Sequence, residues 1–86
     1  MIVFTVPIRE GQKTIGTKKV FVSARKIKMF EVTKYFGNSP NVLVQIGHAF
    51  YMIPYSSMEK AEKYVREAID AIMDDIDYEF PMYEVK

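Results

Sequence analysis

Ile2 to Ile8 is rich in β-branched residues and predicts a strand, about 2–8. Pro7 has no N–H for a ladder, so this strand lies at a sheet edge or ends there. Gly11 to Gly16 is polar and predicts a turn, followed by strands at about 19–22 and 27–36, with Ser23 to Lys26 as a bend between them. The turn cluster Gly37-Asn38-Ser39-Pro40-Asn41 separates these from two further strands, 42–46 and 49–53. Gly47-His48 between them suits a two-residue hairpin loop with glycine first.

A helix is predicted over about 57–75. Ser56 and Glu59 have the spacing of a capping box, and Met58, Ala61, Val65, Ala68, Ile69, Ile72, Met73 and Ile76 recur at intervals of three and four. The opposite side offers Glu59–Lys63, Glu62–Arg66, Lys63–Glu67 and Arg66–Asp70 at i,i+4, each worth only about 0.2–0.5 kcal/mol. Burial of the stripe against a sheet therefore drives folding. The expected fold is α+β, a single small domain over residues 1–76, with a mainly antiparallel sheet of four or five strands packed on one C-terminal amphipathic helix. Residues 77–86 form an acidic aromatic tail.

One helix covers one sheet face, yet Phe50, Tyr51, Met52 and Ile53 are apolar at successive positions. The third strand repeats this, with Ile27, Met29 and Tyr35 on one side and Phe30, Val32 and Phe36 on the other. Strands apolar on both faces call for cover on both. A homodimer or another protein partner would supply it; a sharply twisted sheet wrapped on its helix is the alternative.

Composition narrows the chemistry. The 86 residues contain no Cys and one His, excluding disulfides, thiolate sites and any site needing two imidazoles. The net charge of +1 hides an asymmetry. Residues 1–36 carry eight basic side chains against two acidic, net +6, and the remainder four against nine, net −5. No apolar run reaches the roughly 20 residues of a membrane span. Arg9 and Glu10 cut the apolar start short, and no basic region precedes it, so no signal peptide is read there. The expected location is cytoplasmic, the host cytoplasm for a viral gene.

Two binding surfaces follow. Lys19, Phe21, Arg25, Lys28, Phe30 and Lys34 would present cations interleaved with rings if the second and third strands share a face, an arrangement suited to nucleic acid. The competing reading turns the phenylalanines into the core, and it is favoured, because so short a chain can hardly spare them. Asp74, Asp75, Asp77, Tyr78, Glu79, Phe80 and Tyr83 in the tail combine acids with large anchors and suit protein binding. The tail would equally mask the basic sheet or add a final edge strand at Tyr78–Phe80, ended by Pro81.

No catalytic constellation emerges. His48 falls at a hairpin tip with no carboxylate beside it in sequence, and Asp74, Asp75 and Asp77 lack EF-hand spacing. Ser56 and Ser57 are accounted for by capping, and Gly16-Thr17-Lys18 is not the order of a phosphate loop. No cofactor and no metal are expected. Val22 to Ile27, Val42-Leu43-Val44 and the Tyr51-to-Ser56 entry to the helix resemble the strand, hairpin and helix layout of short bacterial and phage regulatory proteins. That resemblance rests on hydrophobic positions and transfers no chemistry. The expectation is a small non-enzymatic regulatory or inhibitor protein, of a size fitting a phage or mobile-element product directed at a host factor. It would act by protein–protein binding, with nucleic-acid binding as the alternative.

Overall fold

A computed structural model of the chain describes residues 1–34 and 40–84. In chain order the elements are β1 (Ile2–Glu10), β2 (Lys13–Val22), a 3₁₀ turn (Ala24–Lys26), β3 (Ile27–Thr33), β4 (Asn41–Ile46), β5 (Ala49–Pro54), α1 (Met58–Met73) and β6 (Tyr78–Glu79). The fold is α+β, as expected, with the strands divided between two three-stranded sheets, ordered β2-β1-β6 and β3-β4-β5. All pairings are antiparallel except β1 with β6. The expected Tyr35, Phe36 and the turn at 37–39 lie outside the described residues, as do Val85 and Lys86.

Alternation sets the inner faces. Ile2, Phe4 and Val6 of β1 are buried, as are Val42 and Val44 of β4 and Ile53 of β5. The sheets meet where the ring of Phe4 lies edge-on to Tyr51, 5.6 Å between centroids. Helix α1 packs on β3, β4 and β6 through Ala61 and Ala68, both fully buried, whose small side chains let the helix approach closely. Tyr64 stacks edge-on to the buried Tyr55 at 4.9 Å.

Four sequence-based expectations are corrected. The first hairpin turns at Gly11-Gln12, so β2 begins at Lys13 and the expected Gly11–Gly16 turn is mostly strand. Gly11 has a φ of 61°, which a residue without Cβ adopts freely. A register shift opposite Ile8 and Arg9 leaves Ile15 as an extra residue, a β-bulge that accommodates the polar stretch within a long strand. The helix cap is Ser57, whose Oγ accepts from the Lys60 N–H at 3.2 Å, because Ser56 is engaged by Glu84 instead. The buried stripe runs through Ala61, Ala68 and Ala71, with Tyr64, Val65 and Ile72 beside it. Met58, Ile69, Met73 and Ile76 face outward, and Met73 is 79% exposed. Of the expected helix pairs, Arg66–Glu62 forms among the described residues, at 3.9 Å.

Pro7 sits inside β1 without cost. Tyr78 and Phe80 donate their N–H groups to the carbonyls of Met1 and Val3, so odd-numbered backbone groups of β1 point toward β6. Since β6 pairs only with Ile2 and Val3, Pro7 falls on an open edge and interrupts no ladder bond.

The tail is part of the domain. Phe80 is 2% exposed, with its ring against Phe4, Phe30 and Tyr78. The Tyr55 hydroxyl donates to the Pro81 carbonyl at 2.7 Å, and the Tyr78 hydroxyl to Glu67 at 2.8 Å. Glu84 accepts from Ser56 Oγ at 3.2 Å and meets Lys60 Nζ at 3.2 Å. Burial pushes the phenols of Tyr55 and Tyr78 well above their ordinary range, assisted by the neighbouring Tyr64 and by Glu67 respectively. The Lys60 ammonium and the Ser56 bonds hold the Glu84 carboxyl below its usual range.

Candidate protein-docking surface

The inward turn of Val42, Val44, Tyr51 and Ile53 commits their neighbours to the opposite face of the β3-β4-β5 sheet. On β5 these are Phe50 and Met52, paired across β4 with Gln45 and Leu43. On β3 they are Met29 and Glu31, paired with the same two residues from the other side. Phe50 is 56% exposed and Met52 41%, and Met29 is also exposed, with Leu43 half-buried between them. The apolar surplus read from successive hydrophobic positions in β5 is thus a real surface. It presents one charged side chain, Glu31, in a chain with 12 basic and 11 acidic residues.

β3 reaches this arrangement through a second bulge. Ile27 pairs with Ile46 and Met29 with Gln45, leaving Lys28 as the extra residue. Strict alternation would put Ile27 and Met29 on one face. The bulge instead directs Ile27 to the core and Met29 outward.

At the helix edge of the sheet, Met29 continues into a groove of about 250 Å³. Its walls are Ala24, Ile27, Met29 and Phe30 from one side and Ile69, Ile72 and Met73 from α1, with Lys28 at the rim. The outward-facing Ile69 and Met73 therefore extend the sheet's apolar face rather than standing alone. Methionines at both margins give the surface side chains that adapt to a partner's shape.

The expected basic aromatic face does not assemble, because β2 and β3 belong to different sheets. Lys19 and Phe21 lie on the outer face of the β2-β1-β6 sheet, with Lys19 Nζ 5.7 Å from the ring centroid and 3.5 Å from Glu79. Arg25 is in the 3₁₀ turn, Lys28 in the bulge and Lys34 just past β3. Phe30 faces inward, its ring 5.8 Å from that of Phe80. Periodicity alone does not reveal which strands are neighbours.

The tail residues expected to bind protein are divided by burial. Phe80 is in the core, and Tyr78 and Tyr83 pack against it half-buried, so these rings are occupied within the domain. Asp74, Asp75, Asp77 and Glu79 are exposed. Asp77 binds the N-terminal ammonium at 2.6 Å and Glu79 meets Lys19, so two of the four acids have partners in the fold. Asp75 adopts φ 57°, the left-handed conformation that turns the chain out of α1.

Among the described residues, no group of acids or His is placed to hold a metal ion, and no helix is long and apolar enough to cross a membrane. No protein-family model matches the chain, and no curated protein or solved structure is significantly similar to it.

Proposed function

We propose that this chain is a non-enzymatic protein-binding module whose docking surface is the outer face of β3-β4-β5, and that its occupant is a second copy of the chain. The observation carrying this reading is Phe50 and Met52 standing exposed beside Leu43 and Met29 on a face with one charge. A face with a single charge, Glu31, brings two identical copies together with little like-charge repulsion, which strongly charged surfaces do not allow. Twisted sheets pack face to face at about 30°, and a two-fold axis makes one patch complementary to itself.

Three strands of six or seven residues span only roughly 14 by 20 Å, so the contact belongs to the small class of interfaces. Weak association, in the micromolar range or above, is expected of so small a face. A weak dimer of this kind leaves the same face open to exchange with a heterologous protein, which is how a regulatory or inhibitory role would operate.

Sedimentation equilibrium from about 1 to 500 μM tests it, a range that brackets micromolar association. A monomer–dimer equilibrium abolished by Phe50→Glu, with the circular dichroism spectrum unchanged, is the expected result. A monomer throughout overturns the assignment of the second copy.

A further inference from the structure

The β1–β2 hairpin extends past the core. From Ile8 to Lys19 every residue except Gly16 is exposed, and the molecule's longest extent is 37 Å against 24 and 21 Å. This arm carries Arg9, Lys13, Lys18 and Lys19 against a single acid, Glu10. Among the described residues Arg9, Lys13 and Lys18 form no ion pair, Lys18 Nζ lies 5.5 Å from the centroid of the Tyr51 ring, and the pair of Lys19 with Glu79 is solvent-exposed and contributes little.

The balancing acids are remote. Asp77 is bonded to the Met1 ammonium, fixing the Asp74–Asp77 segment at the beginning of β1, whereas the arm's tip is at its end. Ile2 and Glu10 are separated by about 27 Å at strand rise. That is more than three Debye lengths of about 8 Å at physiological ionic strength, so the acids do not neutralise the tip, where Arg9 and Lys13 stand. Lys18 and Lys19 lie nearer them, opposite Val6 and Thr5. A net charge of +1 becomes a charge separation along the long axis, with a basic ribbon at one pole.

We propose that this arm is a nucleic-acid-binding site that lies in the major groove of a duplex, with Arg9, Lys13, Lys18 and Lys19 on the flanking phosphates. The shape fits, because the groove, about 12 Å wide, admits a two-stranded β-ribbon. The register fits as well. Arg9 and Lys19 project from one face of the ribbon and Lys13 and Lys18 from the other, so a ribbon standing in the groove directs cations toward both walls. Gly11-Gln12 makes a tip narrow enough to enter. The site is separate from the apolar face of β3-β4-β5, and its test is independent of dimerisation.

The experiment is fluorescence anisotropy of labelled duplex DNA with the full chain over a salt series, alongside a single-stranded oligonucleotide. Four phosphate contacts give a slope of log K against log salt of about −3.6. Arg9→Ala/Lys13→Ala/Lys18→Ala should retain the circular dichroism spectrum, lose at least about tenfold in affinity and flatten the slope to about −1. Lys63→Ala, removing an exposed helix cation, should change neither. Absence of duplex binding at low salt, or an unchanged slope in the triple variant, overturns the proposal. Equal binding of the single strand overturns the groove assignment.

Discussion

Phe80→Ala separates a tail that belongs to the core from one that merely follows it. The ring is 2% exposed and lies against Phe4, Phe30 and Tyr78, with centroids 6.5, 5.8 and 5.2 Å away. Truncating a buried Phe costs about 3–5 kcal/mol in lost transfer energy and residual cavity. The backbone bond from the Phe80 N–H to Val3 survives the change, so the loss is that of the ring. A domain of 86 residues has a total stability of about 4–13 kcal/mol, which makes the loss about a quarter or more of the whole. At about 4–8 °C per kcal/mol for this size, Tm falls by at least about 12 °C. Met82→Ala is the matched control, because Met82 lies two positions further along the same tail and is 56% exposed. It should change stability by no more than about 0.5 kcal/mol. Urea unfolding followed by far-ultraviolet circular dichroism reads both. Equal stability of the two variants would refute the reasoning, since it would mean that the tail adds nothing to the core.

Other consequences follow from the contacts that hold the tail and the helix. Tyr55 and Tyr78 have folded-state pKa values above the ordinary value of about 10, so the fold favours their neutral forms. Their stabilisation is complete below about pH 10 and is lost as pH rises beyond it; absorbance at 295 nm, with Tyr55→Phe and Tyr78→Phe for assignment, should show these two phenols ionising later in the folded than in the unfolded protein. Glu84 has the opposite sign, its stabilisation being present above the ordinary carboxylate range and lost as pH falls through its lowered value, and Lys60→Met should raise its carboxyl titration in an NMR series. Ser57→Ala should cost about 1 kcal/mol through loss of the Lys60 N–H cap, measured by urea unfolding.

Much of the fold was legible because hydrophobic period is a local property. The β1 alternation, the Gly47 hairpin and the helix were each readable within ten or twenty residues. The double-sided apolar character of β5 was readable too, since Phe50 to Ile53 allow no other distribution. What escaped depends on long-range pairing or on a single inserted residue. The bulges at Ile15 and Lys28 reset the side-chain period, so a count from either end assigns the wrong face. The division of β2 and β3 between two sheets dissolved the expected basic aromatic face, and nothing local marks that division. Ser56 and Ser57 offer the same hydroxyl one residue apart. Glu84, 28 positions away, decides which of them caps.

Isotope-filtered NOE spectroscopy on a 1:1 mixture of labelled and unlabelled chains addresses the docking face most directly. Burial of β3-β4-β5 against its own copy predicts intermolecular contacts between the methyls of Met52, Met29 and Leu43 and the ring of Phe50, with none from the core ring of Phe80. Intermolecular contacts confined to the β1–β2 arm or to α1, with Phe50 and Met52 silent, would contradict it.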